Sequence, residues 1–287
     1  MKTIKYFLQF IIIKLFFFIF KIIGYKKASN FGALIGSTLG PMIKSKEIIK
    51  KNIKNYSPNI DNDTMNNIVK KMWENYGRIF AEYIFLKDFR LEILDKHIKI
   101  NGIENLKEIK KKNKPVIFIS GHFNNFELMA MQIEKAGVNL AALYRPLNNF
   151  FLNKTMEKIR KNFICKNQVK KGMPGIKEIL NFFKNNVSIA MMIDQRVTEG
   201  IECNLFNKPA YTTTVPAQLI KKFKCPIITV YIERKNKIDF ELTVNKPIYF
   251  NENESLESIT INLNNWLEKM ISKNPEQWIW SHNRWKL

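Results

Sequence analysis

His122 and Glu127 are the two side chains of this sequence best suited to acid–base chemistry. They lie at either end of the segment GHFNNFE (residues 121–127), which directly follows an apolar run at 115–120. Positions five apart on one helix point about 140° away from each other and do not meet. If His122 lies in a loop and a helix begins near Asn124, Glu127 can reach back to the imidazole. A carboxylate bonded to one ring nitrogen makes the other a better base for a hydroxyl.

The same segment allows a purely structural interpretation. Asn124 and Glu127 have the spacing of a capping box, which needs no catalysis. His122 could also be a satisfied, partly buried histidine. The chain has three histidines, at 97, 122 and 282, and only His122 lies at the carboxyl end of a predicted strand. This favours a general base, with the helix N-terminus beside it available for an oxyanion.

Two further charged residues follow apolar runs. Arg145 comes after the run 140–144 and before Pro146, so it should emerge at the edge of a site, where a guanidinium suits a phosphate or an oxyanion. A plain surface arginine is the alternative. Asp194 ends the apolar run 189–193 and should face the site or cap a helix. Its carboxylate could pair with Arg145 or with Arg160.

The elements that must hold these residues alternate between strand and helix after residue 96. This predicts an α/β fold with a mainly parallel sheet flanked by helices, and a site beyond the carboxyl ends of the strands. The predicted strands are 97–100, 115–120, 140–144, 187–193 and 226–233, with a possible pair at 240–244 and 248–250. The predicted helices are 45–55, 61 or 63 to 86, 104–112, 124–136, 148–162, 176–184, 214–223 and 255–271.

The N-terminal segment predicts a membrane-anchoring helix over residues 1–26, and the rest, 27–287, predicts one domain. Residues 6–25 are mostly Phe, Ile and Leu, and a helix of this length is long enough to span a bilayer. Lys14 and Lys21 are seven apart and share one helical face, which instead suits a helix lying in the interface with its lysines at lipid phosphates. A buried core helix is the third possibility. Lys26 and Lys27 favour a cytoplasmic location for the domain.

Composition limits the partners. The formal net charge is +22, which fits either a biased genome or an acidic partner such as anionic lipid, a phosphorylated glycolipid or an acidic carrier protein. No zinc-finger or RNP pattern supports nucleic acid. The three cysteines, at 165, 203 and 225, form no CxxC pair, so we expect core residues in a reducing compartment and no metal site.

Several blocks together resemble the lipid A biosynthesis acyltransferases, within the lysophospholipid and glycerolipid acyltransferase superfamily. The segment at 121–127 is similar to their H-x4-D/E motif, with Asn124 and Phe126 as mild departures. Residues 143–149 resemble a Tyr-Arg-Pro block, and Arg160 matches a family arginine. Residues 192–195 resemble an Asp-Gln block, 204–210 a Phe-Phe-Gly-x-Pro-Ala stretch with departures, and 275–286 the C-terminal signature.

The resemblance implies a glycerolipid acyltransferase-like fold and a catalytic pair, His122 and Glu127. It also implies substrate, oxyanion or phosphate contacts from Arg145, Arg160, Asp194, Gln195 and Asn125, with Asp194 paired to Arg160. His282 is interpreted as structural, and Trp278, Trp280 and Trp285 as core or as interfacial aromatics.

The implied reaction needs no metal or cofactor. Acyl-acyl carrier protein, or second acyl-CoA, donates an acyl chain to a Kdo-bearing lipid A precursor at the cytoplasmic face of a bacterial inner membrane. An enzyme acylating another lipid, such as an aminolipid, a phosphoinositide mannoside or a lysophospholipid, and an inactive lipid- or carrier-binding homologue remain the alternatives.

Overall fold

A seven-stranded, mainly parallel sheet forms the centre of the protein. The computed structural model describes residues 2–286. Five strands run parallel in the spatial order β8, β2, β5, β3, β4; β9 joins β8 in the antiparallel sense, and β1 pairs parallel to β9 at the far edge. The strands of this sheet are β1 Ile98–Asn101, β2 Ile117–Ser120, β3 Leu140–Tyr144, β4 Asn167–Lys170, β5 Ser188–Met192, β8 Ile227–Lys235 and β9 Asp239–Val244.

Helices cover both faces of the sheet, which confirms the predicted fold class. The helices are α1 Lys2–Ile23, α2 Tyr25–Ile43, α3 Lys46–Tyr56, α4 Asn62–Glu82, α5 Leu86–Arg90, α6 Ile103–Lys112, α7 Glu127–Lys135, α8 Phe150–Ile159, α9 Met173–Lys184, α10 Val215–Phe223 and α11 Leu256–Lys273. Ile117 and Ile119 of β2 pack with α9, α10 and α11, whereas Phe118 packs into the larger core that includes the N-terminal helices. This alternation explains why β2 is apolar at every position.

Four strands differ from expectation. The short strand β4 and an antiparallel hairpin, β6 Ile201–Leu205 with β7 Lys208–Thr212, were not predicted. Strands β4 and β7 show no clear apolar–polar alternation in sequence, and the alternation in β6 covers only five residues, so the strand signal in these segments is weak. The strand predicted at 248–250 is wrong: Ile248 makes only an isolated bridge to Ile227.

Helix α1 is long and apolar enough to cross a membrane by length and composition. Only Phe17 and Phe20 of its residues are buried, so the buried core helix considered from the sequence is wrong. The N-terminal half of α1 contacts the segment that begins α8: the Asn149 side-chain amide donates to the Tyr6 carbonyl (2.9 Å) and to Gln9 (3.2 Å). The Asn149 side-chain oxygen accepts from the first backbone amides of α8. One buried asparagine therefore both caps α8 and holds α1.

Helices α2 and α4 pack backbone to backbone through glycine. Gly32, Gly36 and Gly40 recur every fourth residue on α2, on the face that meets α4. A Cβ at Gly36 would lie 2.1 Å from the Trp73 carbonyl oxygen, and one at Gly77 of α4 would lie 1.9 Å from the Gly32 carbonyl oxygen. Small residues at this spacing allow helices to approach closely.

A Gly36→Ala substitution should destabilise the protein, although replacing glycine by alanine usually stabilises a helix. In an exposed helix, alanine is more stable than glycine by about 1 kcal/mol. Here the new methyl collides with fixed backbone, so we expect the free energy of unfolding to fall by about 2 kcal/mol. Denaturation in neutral detergent measures it, with Ser37→Ala on the outer side of α2 as the control. A Gly36→Ala protein as stable as the native one would contradict this packing.

Candidate active site

The register of the sheet brings His122 and Asp194 together. Strands β2 and β5 are parallel neighbours, and their last residues, Ser120 and Met192, pair with each other. The Ile193 amide continues the pairing with the Ser120 carbonyl at 3.0 Å. His122 and Asp194 each stand two residues beyond the matched pair. Gly121 allows this approach, because a Cβ there would lie 2.9 Å from the Phe123 ring and 3.3 Å from the Asp194 Cβ.

Asp194 is the hydrogen-bond partner of the imidazole. Its Oδ1 lies 2.7 Å from His122 Nδ1, and its Oδ2 accepts the His122 backbone amide at 2.7 Å and the Trp278 indole N–H at 2.9 Å. The Asp194 side chain is fully buried, whereas 21% of the His122 side chain is exposed. Ionised Asp194 makes Nδ1 the donor and leaves Nε2 as the acceptor; within residues 2–286 Nε2 has no hydrogen-bond partner.

This pair holds both pKa values away from their ordinary positions. Burial lowers the pKa of His122, but the charge and hydrogen bond of Asp194 outweigh it, so the pKa of His122 is raised above 6.5. Burial raises the pKa of Asp194, yet His122 and the surrounding donors bring it below its ordinary value. The arrangement has the elements of a histidine–carboxylate general base.

Glu127 pairs with Arg160, not with His122. Its Oε1 accepts from Arg160 Nε at 2.9 Å and from Arg160 Nη2 at 2.5 Å, and both side chains are largely buried. The expected bond from Glu127 to the imidazole and the expected pairing of Asp194 with Arg160 are therefore both wrong. The partners are exchanged: Asp194 forms the hydrogen bond to His122, and Glu127 forms the ion pair with Arg160.

The start of α7 explains where Glu127 points. The helix begins at Glu127 itself, and Phe126 at its N-cap provides no side-chain hydrogen bond, so the Asn124–Glu127 capping box does not form. Asn124 has a left-handed backbone (φ +44°), and its side-chain amide donates to Gln277. Arg160 opens a widened helical turn, Arg160–Ile164, that extends α8. Such turns are frequent at functional sites.

Asn125 lies outside the candidate site. Its side chain is buried and donates to Glu82 Oε2 at 3.2 Å, within a buried ion pair that Glu82 forms with Arg234 at 2.6 Å. Asn125 does not line the cavity described below. The expected substrate contact of Asn125 is therefore replaced by a structural role: it ties the His122 loop to α4 and β8.

A cavity of about 400 Å³ opens in front of His122. Its polar end includes His122, Glu127 and Arg160, together with the exposed Arg145 and the half-buried Gln195. The remaining wall is mostly apolar and comes from the sheet face and α7; it includes Phe118, Met129, Ala130, Ile133, Ala142, Ala190 and Val230. A polar catalytic end joined to an apolar tunnel suits an amphiphile with a reactive end and a hydrocarbon chain.

The C-terminal segment contributes residues that sequence reasoning did not assign to the site. Trp278 and Trp280 are fully buried, so they belong to the core and are not interfacial aromatics. Trp278 also bonds Asp194, and His282 both lines the cavity and accepts the Arg196 backbone amide at 3.0 Å. Burial lowers the pKa of His282 to about 4. The sequence signal that could have pointed to this segment is the cluster of three tryptophans with polar residues between 278 and 285.

Asp194→Asn should move the titration of His122. In the native protein we expect a pKa above 6.5; without the carboxylate charge, burial dominates and the pKa should fall below 6.5. NMR titration of the imidazoles measures both values, and Glu127→Gln is the matched control because Glu127 raises the pKa less than Asp194 does. An unchanged His122 pKa in Asp194→Asn would show that the pair is not coupled in solution.

Comparison with known proteins places the chain in a family. The family model described as bacterial lipid A biosynthesis acyltransferase matches residues 1–287. The lipid A biosynthesis palmitoleoyltransferase of Escherichia coli (strain K12) is 22% identical over 263 residues, covering 89% of this chain and 83% of that protein. Lipid A biosynthesis acyltransferase 2 of Shigella flexneri is 24% identical over 198 residues, covering 66% and 61%.

The crystal structure of 1-acyl-sn-glycerophosphate acyltransferase from Thermotoga maritima aligns with 96% of this chain and 99% of its own, at 12% identity and a TM-score of 0.42. The family match over the whole chain confirms the resemblance seen in the sequence blocks. The chain belongs to the bacterial lipid A biosynthesis acyltransferase family and is an O-acyltransferase.

Proposed function

We propose that this enzyme transfers a fatty acyl chain from an acyl carrier protein thioester to a hydroxyl of a Kdo-bearing, tetra-acylated lipid A precursor. The observation that carries the proposal is the His122–Asp194 pair at the polar end of a cavity whose other walls are apolar. The apolar part holds the acyl chain, and its thioester carbonyl lies at the polar end beside His122.

His122 acts as the general base. Its Nε2 takes the proton of the acceptor hydroxyl as the oxygen attacks the thioester carbonyl, and Asp194 stabilises the imidazolium that forms. The tetrahedral intermediate then collapses: the new ester bond remains, the carbon–sulfur bond breaks, and the imidazolium returns its proton to the leaving thiolate. No cofactor enters this sequence.

Arg160 supplies positive charge to the developing oxyanion. It lines the cavity, and Glu127 fixes its guanidinium through two hydrogen bonds to one oxygen. Glu127 and Arg160 line the same cavity as His122, and their charges act on the pKa of its imidazole in opposite directions. An oriented cation in a largely buried site stabilises charge far better than one in water.

The cavity mouth suits a phosphate. Arg145 is exposed there, and Lys171 follows β4, the neighbour of the strand that precedes Arg145. The Lys171 backbone amide donates to the carbonyl of Tyr144, the residue before Arg145, at 2.9 Å, so the two cations lie on adjacent segments and repel each other. Burial, and next the charge of Arg145, lower the pKa of Lys171. An anion between them relieves that repulsion, as a phosphate of the donor or the acceptor does. The overall charge of +22 favours an acidic carrier protein over acyl-CoA as donor.

Residues 1–26 serve as the membrane anchor and 27–287 as the catalytic domain, at the cytoplasmic face of the bacterial inner membrane. The length and apolar surface of α1 support the anchor, as does the pair Lys26–Lys27 at the start of α2. In this arrangement the cavity mouth, which Asn149 ties to α1, lies near the lipid that the enzyme modifies.

His122→Ala should reduce acyl transfer by about 10³-fold, since a general base typically contributes about 10² to 10⁴. Purified protein is incubated with acyl-carrier protein and the tetra-acylated precursor, and the penta-acylated product is measured. Glu127→Ala should also lose most activity. His97→Ala is the matched control, because His97 forms an equivalent bond to Asp239 (2.7 Å) away from the cavity.

Transfer that survives His122→Ala would refute the mechanism. Transfer by the native protein to another lipid, and none to the lipid A precursor, would instead identify an enzyme for a different acceptor. Acyl-CoA replaces the carrier protein in a parallel reaction, so the two donors are compared directly.

Ala190→Ile should shorten the preferred acyl chain. Ala190 of β5 lies between Phe118 and Ala142 in one row across the sheet, and all three line the cavity. Added methyl groups here reduce the space for the acyl chain, with a change in chain-length selectivity of about tenfold or more for each excluded methylene. Competition between donors of different chain length measures the shift. Ile189→Val, on the opposite face of the same strand, should leave the preference unchanged.

A further inference from the structure

A second groove lies beside α1, separate from the His122 cavity. It has a volume of about 510 Å³, which is in the range of sites for small ligands. Its walls come from α1, from the segment 83–87 and from α8 with the turn that follows it. The lining residues are Lys14, Phe17, Phe18, Lys21, Tyr83, Ile84, Lys87, Thr155, Ile159 and Phe163.

Three lysines surround this otherwise apolar groove. Lys14 and Lys21 stand two turns apart on one face of α1, about 10 Å along its axis, and Lys87 approaches from the neighbouring segment. Lys21 already has a counter-ion in Asp88 at 2.8 Å. Lys14 and Lys87 form no salt bridge with any residue in the part of the chain that the structure describes. Two ammonium groups are therefore available to an anion at the rim of an apolar surface.

The groove borders the exposed apolar side of α1, which faces the membrane if α1 is the anchor proposed above. Phe18 is 64% exposed, and the neighbouring surface of α1 presents further large apolar side chains to the outside, namely Ile4, Phe7, Leu8, Ile11, Ile12, Leu15 and Ile22. Hydrocarbon next to cations is the environment of a lipid headgroup region, where lysine reaches phosphate while its stem covers apolar surface.

The occupant does not react. None of the ten residues of the groove lines the His122 cavity. The two spaces meet at the end of α8, where Ile159 lines the groove and the next residue, Arg160, lines the His122 cavity. A molecule in the groove sits behind the catalytic residues, so it is a resident ligand and not the acyl acceptor.

We propose that the groove binds one anionic phospholipid of the surrounding bilayer, with its headgroup phosphate between Lys14 and Lys87 and an acyl chain along Phe17, Phe18 and Phe163. The two free ammonium groups match a lipid with net negative charge better than a zwitterionic one, whose own cation repels them. The lipid fills the space between α1 and α8 and links the two helices where they do not pack directly.

Native mass spectrometry of the full chain, released from bilayer discs of mixed phosphatidylglycerol and phosphatidylcholine, tests the assignment without any acyl transfer. The native protein should retain one phosphatidylglycerol in preference to phosphatidylcholine. The double variant Lys14→Gln/Lys87→Gln should reduce this retention by about tenfold or more. Thr155→Trp, which fills the groove and leaves the charge unchanged, should also abolish retention.

The matched control is Lys107→Gln/Lys111→Gln on α6. Both lysines are exposed, neither lines the groove, and the change in net charge is the same. Equal loss in this control would show that retention depends on overall charge. Equal retention of phosphatidylcholine, or full retention in either groove variant, would overturn the site. Displacement of phosphatidylglycerol by the lipid A precursor would show that the groove belongs to the acceptor.

Discussion

A buried carboxylate is the constraint around which the site is organised. Asp194 is fully inaccessible, and an unpaired charge in that position is too costly to keep. Three donors satisfy it, from the His122 backbone, the His122 ring and the Trp278 indole. Removing one partner of such a buried arrangement typically costs 3–5 kcal/mol. The requirement to satisfy Asp194 therefore fixes the His122 loop, the end of β5 and the C-terminal segment relative to one another.

Much of the fold could be predicted because the strands of the sheet interior are continuous apolar runs. The segments around β2, β3, β5 and β8 were located to within a few residues, and so was the edge of the sheet at which His122, Arg145 and Asp194 emerge. Periodicity does not reveal which strands are neighbours. The pairing of β2 with β5, and not His122–Glu127 spacing, decides the imidazole's partner.

Contacts between distant segments also explain why Glu127 pairs with Arg160 and Asp194 with His122. Glu127 is five residues from His122 in sequence, but α7 starts at Glu127 and directs it toward Arg160, which a widened turn presents from α8. The left-handed Asn124 and its bond to Gln277 set this start, and both depend on a partner more than 150 positions away. Local sequence contains neither contact. The short strands β4, β6 and β7 were missed because β4 and β7 lack a clear alternation of apolar and polar residues, and the alternation in β6 is only five residues long.

The bond between Trp278 and Asp194 also relates the activity to the order of synthesis. The two residues are 84 positions apart, and the indole leaves the ribosome later than α1, His122 and Asp194 do. Until the segment around Trp278 has been synthesised, Asp194 lacks the indole donor, and the cavity beside His122 lacks His282 in its lining. Translation thus completes the apolar helix α1 before the hydrogen bonds that hold Asp194 and the His122 imidazole are complete.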